Sequence, residues 1–287
     1  MKKYITAFVL PFVTFACYIN ENHAQVDHSL NPGFGDYWYR GKAELTSYDL
    51  SQSRYGEIRN GHAVLIFVTE DFSKSKQVKL DSPIKDEDDV VKVMKLNATR
   101  KFNTGIYPYS TMSSVFTPIY LNAYPKTLKL ATSSQEWCGH TFMQANLKKD
   151  KYEIQGNSYF ESEGDFNYKV NEVMMEDEIW NRIRLNPEQL PIGKCEMLPG
   201  SLYCRFKHID FKPTMVDAKL VSVSDSTMAY ELKYTEIDRT LKIIFNKSFP
   251  HEIQGWEEAY TDGFGENAKS MTTKATLKKV IQLDYWT

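Results

Sequence analysis

The residues best equipped for chemistry sit in the stretch SSQEWCGH, where Glu136, Cys138 and His140 alternate. Read as one extended strand, the three share a face, with the cysteine and histidine side-chain roots about 6–7 Å apart. A thiol beside an imidazole can become a thiolate nucleophile, and a carboxylate can orient the imidazole or hold its charge. The same trio, with a further ligand from elsewhere, suits zinc or copper. This reading makes the chain a thiol- or metal-dependent enzyme. Against it, neighbours on one face of a strand rarely meet at hydrogen-bond distance without a bulge, which Gly139 could supply. Cysteine enzymes also tend to take their histidine from a distant segment. The competing reading is a small thiol and a hydrogen-bonded histidine at a strand kink, so no catalytic residue is assigned. The remaining histidines show no ligand spacing, and no metal or cofactor is expected.

The compartment bears on that thiol. The chain opens MKKYITAFVLPFVTFAC, with Lys2 and Lys3 before an uncharged apolar core from Tyr4 to Ala16. That core is too short to span a bilayer and contains Pro11, so residues 1–16 read as a secretory signal peptide. Cys17 follows Ala16 as a lipid-modified cysteine follows a small residue in bacterial lipoproteins, with Thr14 and Phe15 departing from the usual pattern. The alternative is cleavage after Ala24. A diacylated Cys17 would tether the protein to a membrane face through residues 17–30 without a spanning helix. The expected location is the bacterial periplasm or an outer-membrane face. Of the other cysteines, Cys195 and Cys204 flank the Pro199-Gly200 pair in CEMLPGSLYC. They are expected to form a disulfide across a hairpin, which leaves Cys138 alone in an oxidising compartment.

Residues 31–287 read as a single β-rich domain. Composition is ordinary for a folded body, at 42% hydrophobic and 25% charged residues. Net charge is −2 with no basic block, which argues against a nucleic-acid partner. Apolar residues recur at period two, as in TMAYELKY, where Met228, Tyr230, Leu232 and Tyr234 face one way. Similar runs predict an antiparallel series along the whole chain, with a first hairpin near Asn60-Gly61. The proline-interrupted aromatic stretch from Tyr107 to Tyr124 reads as loop or sheet edge, able to grip sugars or lipids or to pack its rings into the shell. VMMEDEIWNRIRLNPEQLP alone has helical spacing, at Met175, Ile179 and Ile183, before Pro187 stops it. The expected fold is all-β and mostly antiparallel, a large curved sheet or half-barrel with one short helix near 175–185 plugging an end.

The signal or lipobox, the strand series and the segment FPHEIQGWEE, with YRGKAELTSYDLSQSRYGE and SSQEWCGHTF, together resemble an uncharacterised family of exported bacterial proteins. Members are sometimes labelled septum-formation inhibitors. That name belongs to a cytoplasmic nucleotide-hydrolysing α/β family, whose Ser-x-Ser-Pro-Arg stretch and alternating βα pattern are absent here. The strand layout is also loosely similar to periplasmic half-barrels that wrap an apolar ligand. These likenesses imply a non-enzymatic envelope protein that binds an apolar or amphiphilic ligand or an envelope partner. The alternatives are the enzyme at Cys138 and His140, and a purely structural envelope component.

Overall fold

The computed structural model describes residues 30–81 and 87–287. The expected signal segment and Cys17 therefore lie outside the described residues. The strands are β1 (Ala43–Arg54), β2 (Glu57–Ser73), β3 (Val78–Lys79), β4 (Val90–Thr104), β5 (Tyr107–Pro118), β6 (Lys129–Glu136), β7 (Gly139–Lys148) and β8 (Lys151–Ser158). They continue with β9 (Phe166–Asn171), β10 (Met174–Met175), β11 (Gly193–Leu198), β12 (Thr214–Ser222), β13 (Thr227–Tyr234), β14 (Arg239–Asn246), β15 (Ile253–Asp262) and β16 (Lys269–Leu283). Three short helices accompany them: α1 (Phe34–Trp38), α2 (Ile179–Leu185) and α3 (Ser201–Lys207).

All strands join one sheet of 16, in the order β10-β11-β12-β13-β14-β15-β16-β1-β2-β4-β5-β6-β7-β8-β9, with β3 added to β2. Every pair is antiparallel except β10–β11. The expected all-β, mostly antiparallel curved sheet is the observed one. Its curvature follows from chain connectivity. Strands β9 and β10 are the two ends of the sheet, yet only Glu172 and Val173 separate them in sequence. Three residue steps reach at most roughly 11 Å. The sheet therefore rolls until its first and last strands approach each other.

Alternation places one side chain in two inside. On β13 the inward set includes Tyr230, Leu232 and Tyr234, as the sequence pattern predicts, and on β14 Leu241, Ile243 and Phe245. The interior is not left hollow. The chain from Glu176 to Leu185, containing α2, is buried within it. At one end Glu176 accepts a hydrogen bond from Tyr234 at 2.8 Å and pairs with Arg239. At the other, Arg184 reaches the beginning of β1 and the loop after β14. The helix thus runs lengthwise inside the shell instead of plugging an end. It carries buried polar residues as well as the apolar stripe of Ile179 and Ile183.

Burying those groups demands partners. Arg184, fully buried, makes a two-pronged ion pair with the equally buried Glu44, at 2.5 and 2.6 Å. Its Nε donates to the Pro250 carbonyl at 2.8 Å, while Tyr37 and Thr46 hydroxyls donate to the Glu44 carboxylate. The guanidinium lies over Trp38 and Phe67, 5.0 and 4.9 Å from their ring centres. Asn181 donates to the Met94 carbonyl and the Thr117 hydroxyl, and Arg182 to Glu178.

Several local expectations are corrected. The first hairpin turns at Tyr55-Gly56, both at positive φ of 58° and 74°, while Asn60 and Gly61 lie inside β2. Such paired left-handed residues match the twist of a tight hairpin better than an in-strand Asn-Gly can. Of the Tyr107–Tyr124 stretch, residues 119–124 form a loop, as one alternative expected, but Tyr107–Pro118 is no edge, because β5 pairs with β4 and β6 on its two sides. Its Pro108 and Pro118 sit at the strand's ends, where the missing amide hydrogen costs least. Cys195 and Cys204 are both free thiols. Pro199-Gly200 leads from β11 into α3 instead of reversing the chain, so the expected disulfide is not formed.

Removing one partner of the Glu44–Arg184 pair strands a buried charge, at a typical cost of about 3–5 kcal/mol. Arg184→Met is expected to lose stability in that range by urea titration. The double variant Glu44→Gln/Arg184→Met is expected to recover part of the loss. Additive losses would mean that the two charges are not coupled.

Candidate functional site

Glu136, Cys138 and His140 do not converge. The chain reverses at Trp137-Cys138, so Glu136 ends β6 and His140 follows Gly139 at the start of β7. Glu136 points inward and is buried, while His140, opposite Gln135, is exposed on the outer face. Cys138 is exposed at the turn, and its amide donates to Glu136 Oε2 at 2.6 Å. The carboxylate caps the turn and, through its hydrogen bond and negative charge, pushes the Cys138 thiol up from its ordinary range. That opposes thiolate formation, the reverse of what a nucleophile needs. Among the described residues no group of three or more His, Cys, Asp or Glu is placed to hold a metal ion.

The better-formed site lies between α3 and the inner surface of β6 to β9. A pocket of about 300 Å³ opens there. Its apolar wall is made by Met143, Phe166, Tyr168, Cys204, Ile209 and Phe211. Its polar edge is a cluster drawn from three segments. Glu163 Oε1 accepts from Arg205 Nη1 and contacts His208 Nδ1, both at 2.5 Å, and Oε2 accepts from Ser158 Oγ at 2.6 Å. Arg205 Nε donates to Thr141 Oγ1 at 3.0 Å, and its guanidinium lies 4.7 Å from the centre of the Phe160 ring. His208 takes a left-handed backbone, φ 54°, as the cap that ends α3. A non-glycine residue pays strain energy for that conformation. The turn is thereby sharp enough to put the imidazole back over Glu163, next to Arg205.

The order of this cluster limits its chemistry. The acid stands between the serine and the histidine, so Ser158 donates to Glu163 and not to an imidazole. A hydroxyl nucleophile needs the base at its own oxygen. Cys204 is no better placed for attack, since burial pushes its thiol well above the ordinary range. What the pocket offers is an apolar trough with a fixed donor–acceptor group at its mouth, the arrangement of a binding site.

Behind the pocket, Ser201 connects it to a second polar system. Its hydroxyl donates to Asp177 Oδ1 at 2.7 Å and its amide to Oδ2 at 2.9 Å. Thr132 and Ser113 extend the hydroxyl chain at 2.6 and 3.1 Å. Beyond Asp177 lies a small interior cavity of about 50 Å³, bordered by Glu176, Arg239, Glu258 and Arg100. Arg239 bridges Glu176 and Glu258, and Arg100 also contacts Glu258 at 3.1 Å. Burial would raise the Glu258 carboxyl, but the two guanidinium groups override it and hold it down at about 2. Asp177 has no such pair, and burial pushes it up to about 6 despite the Ser201 bonds.

None of Glu163, Arg205, His208 or Ser158 stands out in the sequence. Arg205 and His208 reach Glu163 and Thr141 by contacts 42 to 64 residues apart, while Ser158 lies five residues from Glu163. Only the terminal position of His208 after GSLYCRFK could have marked a helix cap.

Two measurements check this geometry. Asp177 rises from 3.8 unfolded to about 6 folded, so between those values the folded state holds the extra proton and loses stability as pH rises. The loss at pH 7 is of the order of 3 kcal/mol. Asp177→Asn is expected to flatten the fall in stability across that window, read by denaturant titration at several pH values. Glu258 acts in the opposite sense: its contribution, present above 4.5, is lost as pH drops towards about 2. For the thiols, mass spectrometry after alkylation of native protein is expected to find Cys138 labelled and Cys204 protected until denaturation. Glu136→Gln is expected to speed labelling of Cys138 at neutral pH.

No protein-family model, no curated protein and no solved structure matches this chain.

Proposed function

We propose that this chain is a non-catalytic binding protein of the cell envelope that holds a small amphiphile between α3 and strands β6 to β9. The observation that carries the reading is the pairing, in one pocket of about 300 Å³, of an apolar wall with the Arg205–Glu163–His208 group. An apolar tail lying against Met143, Phe166 and Phe211 is drawn in by loss of water from its surface. Its polar head exchanges hydrogen bonds at the mouth, where Arg205 donates in a fixed fork. The N-terminal leader and Cys17 support placing this activity in an exported, membrane-tethered protein. A pocket of this size suits a short single chain or a small ring system, not a two-chain lipid.

The experiment is titration with the fluorescent anionic amphiphile anilinonaphthalene sulfonate, together with solvent extraction and mass spectrometry of purified protein. Saturable binding at one site is expected. Arg205→Gln should weaken it by about tenfold, equivalent to about 1.4 kcal/mol, with the fold retained. Unsaturable binding, or equal affinity in wild type and Arg205→Gln, would remove the proposal.

A further inference from the structure

The tips of five neighbouring hairpins carry one exposed apolar residue or more each. Because neighbours run antiparallel, the turns β15–β16, β1–β2, β4–β5, β6–β7 and the loop β8–β9 all lie at the same end of the sheet, adjacent in its order. They present, in that order, Phe264 (69% exposed), Tyr55 (37%), Ile106 (84%), Trp137 (68%) and Tyr159 (77%). Single exposed apolar residues are ordinary on a soluble surface. Five consecutive turns at one rim are not. The rings also touch from turn to turn: Tyr55 meets Phe264 at 6.0 Å and Tyr107 meets Trp137 at 6.1 Å between ring centres. Gly139 is part of this arrangement, since a Cβ there would fall 2.7 Å from the Tyr159 ring. The opposite end also exposes apolar residues, Tyr39, Val78, Tyr285 and Trp286 among them, but not as a run of successive hairpin tips. Its β7–β8 turn is Lys148-Lys149-Asp150-Lys151, and its β12–β13 turn sets Val223 before Ser224, Asp225 and Ser226.

We propose that this rim docks the protein on a phospholipid bilayer, its aromatic tips entering the headgroup layer. The residue types fit that occupant: Trp and Tyr settle at the membrane–water boundary, where one part of the ring is apolar and the other wet. The tips stand on separate turns, so a fluid interface can receive them where a rigid partner would need a matching hole for each. The β4–β5 turn from Thr104 to Tyr107 carries no charge to desolvate. Beneath the rim lies a cation without an acid. Arg54, 4% exposed, donates to the Phe206 carbonyl and to the Tyr55 and Tyr109 hydroxyls, and its Nε has no partner. Among the described residues no carboxylate lies within ion-pair distance of it, while Glu57 on the same turn is held by Arg59 at 2.7 Å. Buried at that depth, Arg54 braces the Tyr55 and Tyr109 rings of the rim from below and does not itself meet lipid. Glu161, Glu163 and Glu266 keep the rim from being basic overall, so the rings and not net charge carry the attachment. Among the described residues no helix is long and apolar enough to cross a membrane, and the docking is interfacial. This inference stands independently of the amphiphile pocket.

The test uses the full chain with Cys17→Ser, which prevents acylation, and Trp286→Phe, which leaves Trp137 as the strongly exposed tryptophan. It is mixed with phosphatidylcholine vesicles, with and without phosphatidylglycerol. Flotation and quenching of Trp137 by bromine-labelled lipid are expected in both mixtures. Ile106→Ser/Phe264→Ser, added to that chain, should lower vesicle partition by about tenfold or more and weaken the Trp137 quenching, with an unchanged thermal midpoint. Unquenched Trp137 on floating protein, or equal partition of the two chains, overturns the proposal. A concentration-dependent dimer that the rim substitutions disperse, with no flotation, assigns the rim to a second copy and overturns it as well.

Discussion

The fold depends on one constraint: a polar segment inside a β-shell must have its charges answered by the shell. Residues from Glu176 to Arg184 would be costly to bury alone. They are accepted because the inward faces of distant strands offer matching groups, Glu44 on β1, Arg239 on β14, and Glu258 on β15 with Arg100 on β4 behind it. These pairs tie strands from the middle of the rolled sheet to a common axis. A sheet this long could curl to many radii. The internal segment and its ion pairs select one.

That axis also explains where free space remains. Along its length the interior is filled by side chains, leaving the small cavity beside Glu176 and Arg239. Towards α3 the filling stops short, because α3 leans through Phe206 towards Phe102 and Tyr109. The space left against β7 and β9 is the pocket. Its polar edge inherits rigidity from a helix end and a strained cap, which makes it a better binding surface than a loop of equal composition.

Much of the sheet was legible in the sequence, and for a plain reason. Alternation of apolar and polar residues reports which face of a strand is buried, and TMAYELKY and RTLKIIF kept the faces their pattern implies. Turns were less legible. Asn60-Gly61 has the composition of a hairpin but lies in β2, since pairing with Leu50 and Ser51 outweighs a local preference. SSQEWCGH failed for the same reason in reverse: an uninterrupted period hid the reversal at Trp137-Cys138, which sends Glu136 and His140 to opposite faces. The helix was expected to plug an end of the shell, because periodicity alone cannot say that a helix is surrounded.

The amino-acid sequence by itself determined the class of fold, the strand faces and which residues form the internal helix, all set by patterns a few residues long. Tertiary structure decided which charges are buried in pairs, that Cys195 and Cys204 stay apart, and that Glu163, Arg205 and His208 meet. It also gathered five hairpin tips at one rim. The physical reason is range: side-chain alternation is a local property, whereas ion pairs and pockets join residues whose separation along the chain carries no trace of their contact.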